Sequence, residues 1–390
     1  MDIVIISEFT STFSAADNDR FLYLAKKLCV DHQVEIVTSD FCHEKKQHRN
    51  RTEAEWPFPV TFLHEDGYPR NVCLKRFYSH IRWGINVEKY LKKRKKPDVV
   101  YCAVPSLSGP NRVAKYCEKN GIRFIIDVQD LWPEAYKMVL HIPVVSDVLF
   151  APFTWLANGI YKRADDIVAV SETYANRALE KNTKCISAHA VYLGTDLNTF
   201  DQNACEGKKR EKPTDETWLG YCGTLGSSYD LTVVFKAMEL LNDKTLKFIV
   251  MGDGPRLEEF KEYVQQRNLP VFFAGRLPYN DMCALLNECD IVVNPITGGA
   301  AQSIINKHAD YVASGKPVIN TQESAEYRKL VSDYHMGINC DNGNAQQIAD
   351  AIVYLLEHPE EKMTMGRNAR KCAEERFDRA KAYCEIIDLL

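Results

Sequence analysis

Three glycine-bearing turns lie in the second half of this 390-residue sequence: YCGTLGSSY (Tyr221–Tyr229), MGDGP (Met251–Pro255) and NPITGGAAQS (Asn294–Ser303). Each follows a short β-branched run and precedes a helical pattern, and Pro255 stands at a favoured first helical position. Backbone amides of such turns, together with helix N-termini, bind phosphate oxygens. One such turn is ordinary punctuation between strand and helix. Three in one domain, all at carboxyl ends of strands, point to a nucleoside diphosphate held by Gly223, Thr224, Gly226, Gly252 and Gly254. The first half has no equivalent, because its first strand leads into EFTSTFSAADNDR, which contains no glycine. A nicotinamide or flavin pyrophosphate therefore has no close approach to the backbone there. A Walker A loop is absent too.

Other reactive residue types carry weaker patterns. The thirteen cysteines are odd in number, scattered from Cys29 to Cys384 and without a C-x-x-C pair. They fit small buried hydrophobes in a reducing compartment rather than a disulfide framework. Cys222 beside Gly223 has no histidine placed to activate it, so packing is its expected role. Cys42, His43 and His48 match no zinc spacing, and no metal site is expected. Between Arg70 and Lys96 there are ten basic residues and one acid, Glu88, interleaved with Phe77, Tyr78, Ile81, Trp83 and Leu91. This segment is either a solvated helix face or a surface for an anionic partner: a membrane or a phosphorylated acceptor.

These residues need strands and helices to hold them. Strands are expected at Asp2–Ser7, Val34–Ser39, Val60–His64, Asp98–Val104, Phe124–Gln129, Asp166–Ser171 and Ser187–Leu193, with amphipathic stretches such as Arg20–Leu28, Val113–Lys119 and Tyr174–Leu179 between them. Near-continuous Val/Ile runs mark strands buried on both faces, hence a parallel sheet covered by helices. The stretch 201–217 is polar without an apolar period and is expected to be a linker or exposed loop. The alternation then restarts, with strands in WLGYCG, LKFIVMGDG, VFFAG, DIVVNP and PVINT, and helices at Leu231–Leu241, Leu257–Gln266, Met282–Leu286 and Ile305–Ala313. The tail from Ala345 to Leu390 has helical character, broken near Pro359. Two consecutive doubly wound units imply a ligand cleft outside the carboxyl ends of their strands.

Composition excludes several classes. Apolar residues make up 45% and charged residues 26%, ordinary globular usage. Met138–Ile160 is interrupted by His141, Pro143, Asp147 and Pro152, so it is not a membrane span. The N-terminal MDIVIISEFT has no basic region, and no secretory signal is expected; the cytoplasm, or the inner face of the plasma membrane, is the expected location. Residues 1–200 carry 27 Lys+Arg against 24 Asp+Glu, and the remainder 22 against 29. With a net charge of −4 the chain is not a nucleic-acid binder.

The ordered motifs DVVYCAVPSLSGP, DVQDLWPEAY, YKRADDIVAVSETYANRAL, YLGTDLNTF, YCGTLGSSYDL, FIVMGDGPRLEEF, VFFAGRLPYNDMCALLNECDIVVNPI and NKHADYVASGKPVIN resemble the family-four retaining glycosyltransferases. They are most similar to the branch that builds bacterial capsule, O-antigen and exopolysaccharide repeat units. The resemblance spans nearly the whole chain. It implies an α/β GT-B fold of two doubly wound Rossmann-like domains facing across a cleft. It further implies a UDP- or GDP-linked sugar as substrate, no cofactor, and no required metal. Its acidic residue for the donor ribose falls at Asp310, where glutamate is usual, and a second glutamate, eight residues earlier, is Gln302 here. The family's Arg/Lys pair in the first glycine turn is replaced around Thr224 and Tyr229, leaving Lys307 and Arg276 as candidate cations for the diphosphate. The histidine often found after the fifth strand is Gln129, followed by Asp130, which is alternatively a helix cap.

The resulting expectation is a retaining, hexosyltransferase-type, metal-independent enzyme extending a bacterial surface glycan. Residues 1–200 would bind a lipid-linked or oligosaccharide acceptor and 218–376 the nucleotide sugar. Residues 377–390 would form a helix returning to the first domain. Gln129, Asp130 and Lys307 are the candidate catalytic residues. Lys75, Arg76, Arg82, Lys92, Lys93 and Arg94 are the candidate membrane or acceptor contacts. A nucleotide-sugar epimerase of the same architecture and a catalytically reduced partner subunit are the competing readings.

Overall fold

The computed structural model describes residues 1–14, 19–71, 73–135, 143–299 and 303–390. They form two compact units, 1–192 with 383–390 and 193–382.

The sheet of the first unit consists of β1 (Asp2–Ser7), β2 (Gln33–Ser39), β3 (Val60–Leu63), β4 (Val99–Val104), β5 (Arg123–Val128), β6 (Asp166–Ala169) and β7 (His189–Ala190). Its order is β3-β2-β1-β4-β5-β6-β7, with every pairing parallel. All six residues of β4, VVYCAV, are buried, as two-sided cover by helices demands. The helices are α1 (Arg20–Leu28), α2 (Leu74–Lys93), α3 (Ser108–Asn120), α4 (Pro143–Arg163) and α5 (Glu172–Leu179). Asp19 caps α1 by accepting the Phe21 and Leu22 amides. From the first turn of α1, Arg20 reaches the buried Asp127 carboxylate at 2.7 Å, and the Tyr101 hydroxyl donates to the same carboxylate. Helices α2 and α3 meet at two glycines: a Cβ on Gly84 would stand 2.9 Å from the Gly109 nitrogen, and one on Gly109 would stand 2.6 Å from the Trp83 ring.

The second unit repeats the winding with β8 (Thr217–Cys222), β9 (Leu246–Met251), β10 (Val271–Gly275), β11 (Ile291–Asn294), β12 (Val318–Asn320) and β13 (Gly337–Asn339) in the order β10-β9-β8-β11-β12-β13, again all parallel. Its helices include α6 (Leu197–Glu206), α7 (Leu231–Leu241), α8 (Leu257–Arg267), α9 (Tyr279–Glu288), α10 (Asn306–Ala313), α11 (Ala325–Asp333), α12 (Ala345–Glu357) and α13 (Pro359–Cys372). Each sheet reverses direction between its first and fourth strands, so each has a topological switch point where ligands bind: β1/β4 and β8/β11.

Several expectations are corrected. The domain boundary lies at 192/193 rather than 200, because Leu193 and Thr195 bond through backbone and side chain to Phe377 and Arg379. The stretch 201–217 is not wholly a linker, since α6 occupies its first residues. Leu197, Phe200 and Ala204 give α6 a buried stripe that begins before the polar window, and it packs on α9. The return to the first unit starts at Tyr383 rather than 377. There Tyr383 stacks edge-on against Tyr23 and lies under the Arg20 guanidinium. The seventh strand shrinks to His189–Ala190, while β13 and a hairpin joining Phe41–Cys42 to Gln47–His48 were not foreseen. Among the described residues no helix is long and apolar enough to cross a membrane.

Candidate active site

The carboxyl edge of the second sheet gathers the glycine turns. The Leu225 amide donates to the Asp253 carbonyl, the Arg256 amide to the Leu225 carbonyl, and the Thr297 amide to the Ser228 carbonyl. These bonds stitch all three turns into one surface. Only glycine fits its tightest point, because a Cβ on Gly252 would stand 1.8 Å from the Gly223 carbonyl oxygen and one on Gly254 2.4 Å from that of Leu225. Thr224 is exposed at the turn's tip, and its carbonyl accepts the Tyr221 hydroxyl at 2.8 Å. Gly226 has ordinary room.

Lys307 and Asp310 lie one turn apart on α10, and both face Cys222 at the end of β8. The Lys307 ammonium is buried, has no hydrogen-bond partner, and lies 3.7 Å from the Tyr229 ring centroid and 4.1 Å from that of Tyr221. Its Nζ would stand 2.9 Å from a Cβ placed on Gly223. Burial pushes its pKa down to about 7, opposed only weakly by the Cys222 thiol. A buried, unpaired ammonium is costly and is relieved by an anion at the turn it faces. Burial likewise raises the Asp310 carboxyl to about 6, while the hydrogen bond from Tyr279 and the charge of Arg379 lower it. The Tyr279 hydroxyl donates to Asp310 Oδ1 at 2.8 Å and lies 3.0 Å from the Thr195 hydroxyl. Asp310 Oδ1 therefore already holds one hydroxyl.

Arg276 is exposed just beyond β10, three residues before Tyr279. Gln302 lies outside the described residues. The Tyr221 and Tyr229 rings and the Tyr279 hydroxyl were missed by sequence reasoning, since tyrosines beside a strand have the pattern of core. Also missed was a buried network at the ends of β11 and β12, where Asn294 donates to Asn320 and Gln322, and His308 stacks on Tyr327 at 3.5 Å.

In the first unit, Gln129 and Asp130 follow β5 at the carboxyl edge. The Gln129 side-chain nitrogen is buried without a hydrogen-bond partner. Asp130 accepts the Leu131 amide at 2.9 Å and the Trp132 indole at 3.1 Å, and its carboxyl is raised chiefly by burial. Asp130 thus orders the local turn and Trp132, with both oxygens engaged.

The basic candidates separate. Lys75, Arg82, Lys92 and Lys93 are exposed. Arg76 is not a surface contact: it is buried over the Trp132, Tyr68 and Phe9 rings and donates to the Asn71 carbonyl. Arg94 is not one either, because it pairs with Asp2 at 2.9 Å and Glu35 at 3.2 Å. Trp83 faces inward, whereas Leu74, Tyr78 and Ile81 on α2 and Leu149 and Trp155 on α4 are exposed, Trp155 by 81%. Next to them, a cavity of about 550 Å³ between α2, α3 and α4 has Phe77, Ile81, Phe153 and Leu156 in its walls, with Lys92 and Arg112 also lining it. His43 is hydrogen-bonded to Tyr68, and His48 faces Asp40 and His64, so the Cys42–His43–His48 grouping does not form.

Comparison with known proteins agrees with this architecture. Residues 20–199 match the model described as Glycosyltransferase Family 4, and residues 205–372 match Glycosyl transferases group 1. The chain is 25% identical over 241 residues to an uncharacterised glycosyltransferase of Methanocaldococcus jannaschii, covering 59% of this chain and 60% of that protein. It is 22% identical over 312 residues to the putative colanic acid biosynthesis glycosyl transferase WcaI of Escherichia coli K12, covering 76% and 74%. The crystal structure of Anabaena HepE in complex with UDP superposes with a TM-score of 0.72 at 17% identity, over 100% of this chain and 99% of that one. HepE has also been solved with UDP-glucose. The matched stretch thus spans 60% of the archaeal relative's length. Both units are glycosyltransferase domains, and the fold is GT-B.

Proposed function

We propose that this two-domain glycosyltransferase moves a hexose, with retention of configuration, from a UDP- or GDP-linked donor to a growing, lipid-linked bacterial surface glycan. The observation that carries the donor half is the buried Lys307 ammonium, unpartnered and aimed at the Gly223 turn. The diphosphate would lie on the joined glycine turns at the β8/β11 switch point, with Lys307 on its leaving oxygens and Asp310 on the ribose hydroxyls. The name of WcaI and the UDP and UDP-glucose complexes of HepE support this reading.

The chemistry needs no covalent nucleophile from the chain. The acceptor hydroxyl attacks the anomeric carbon on the face that the diphosphate leaves, and the departing phosphate oxygen takes the hydroxyl proton. Catalysis then rests on orientation and on charge stabilisation by Lys307 and the turn amides. Lys307 replaces a metal in this role, so no divalent ion is needed at the diphosphate. For the acceptor half, the exposed Leu74, Tyr78, Ile81 and Trp155 beside Lys75, Arg82, Lys92 and Lys93 suit an anionic leaflet. The neighbouring cavity, apolar with basic residues in its lining, suits an amphiphile bearing phosphate.

Incubation with a panel of radiolabelled UDP- and GDP-sugars and a lipid-linked acceptor tests this reading. Label appearing in the lipid fraction is the expected result. Release of an isomerised free nucleotide sugar would identify an epimerase, and nucleotide binding without turnover would identify a partner subunit.

A further inference from the structure

Glu8 follows β1, and Ser106 follows β4, at the switch point of the first unit. Glu65 comes from the segment after β3, and His80 from α2. Glu8, Glu65 and His80 are 3%, 1% and 3% exposed, and each offers a ligand atom within 4.8 Å of the other two. The Ser106 hydroxyl lies beside the Glu8 carboxyl, and His80 Nε2, which has no hydrogen-bond partner, faces Glu8 Oε1 at 3.8 Å. That separation is too long for a direct hydrogen bond. It suits two ligands each about 2.0–2.2 Å from a shared ion.

We propose that Glu8, Glu65 and His80 form a buried site for a divalent transition-metal ion, with zinc as the probe, separate from the donor site. The surroundings are built as metal sites are. Ser39 and Ser79 each donate a hydroxyl hydrogen to Glu65, one to each oxygen, fixing that carboxylate. The His80 ring is clamped by a stack on Trp132 and by the edges of Phe9 and Tyr68. The ion would pin the ends of β1 and β3 to α2, the helix that carries the exposed Leu74, Tyr78 and Ile81.

The test measures metal in the full-length protein, purified from zinc-supplemented medium and passed through gel filtration. One zinc per chain is expected, falling at least tenfold in Glu8→Gln and His80→Gln. The exposed group Asp40, His48 and His64 is the internal control, and His48→Gln should keep the zinc. Circular dichroism checks that the variants fold. If one does not, wild-type protein grown in cobalt decides instead, because visible d–d bands report imidazole and carboxylate ligation. Wild type without stoichiometric metal would show that the cluster holds water and overturn the proposal. Undiminished zinc in Glu8→Gln together with loss in His48→Gln would overturn it in favour of the surface group.

Discussion

Replacing Lys307 by methionine keeps the apolar stem against Tyr221 and Tyr229 and removes only the charge. The wild-type ammonium has no hydrogen-bond partner, and burial pushes its pKa down to about 7, so its charge is lost as the pH rises above neutrality. A charged hydrogen bond to a diphosphate is worth about 1.5–3 kcal/mol. Charging the amine consumes well under about 1 kcal/mol of that near pH 7, but about 3 kcal/mol at pH 9. The sign follows from the lowered pKa: raising the pH removes the proton, so wild-type affinity for UDP should fall between pH 7 and 9. The nucleotide itself does not compensate, because a phosphate with its second pKa near 6 is already fully ionised over most of this range. Lys307→Met should bind UDP roughly 10- to 100-fold more weakly at pH 7 and show no such slope. Isothermal calorimetry with UDP and GDP at several pH values measures both. Turnover should drop further than affinity, since charge builds on the leaving oxygens in the transition state. A mutant that keeps the wild-type pH slope, or binds UDP as tightly at pH 7, would remove Lys307 from the diphosphate site.

Asp310→Asn should weaken UDP binding by about 1–3 kcal/mol, with Tyr279→Phe as the control for the bond that Asp310 already accepts; equal calorimetric affinities would take Asp310 off the ribose. Gly252→Ala forces a Cβ to 1.8 Å from the Gly223 oxygen and should cost about 3 kcal/mol or more in urea unfolding. Gly226→Ala, which meets only the Thr224 methyl at 3.7 Å, should cost under about 1 kcal/mol. Initial rates should persist when EDTA is added at assay and should not rise with Mg²⁺; stimulation by Mg²⁺ would mean that a metal, not Lys307, neutralises the diphosphate. Sedimentation with anionic vesicles should be salt-sensitive and weakened by Trp155→Ala with Tyr78→Ala or by Lys92→Gln with Lys93→Gln, and equal sedimentation of all variants would leave a soluble acceptor as the better reading.

Local patterns in the sequence determined most of the scaffold. Asp2–Ser7, Arg20–Leu28 and Leu231–Leu241 form the elements expected of them to the residue, because a β-branched run or a periodic apolar stripe can be buried in only one way. The glycine turns were legible for a similar reason, since a backbone that packs 1.8 Å from a would-be Cβ admits nothing else. The segment around α2 was legible as a helix only in part, because it has apolar residues on more than one face. Contact with Gly109 turned Trp83 inward and left Leu74, Tyr78 and Ile81 outside. Charge is the least local property of all. Arg76 and Arg94 belong to a basic run in sequence, yet aromatic rings take one and Asp2 and Glu35 take the other. Glu8, Glu65 and His80 come from three elements with no spacing to mark them, and Lys307 gained meaning only once Tyr221, Tyr229 and Gly223 closed around it. Burial and the reach of an electrostatic field depend on distance through space, and only the tertiary structure decides that distance.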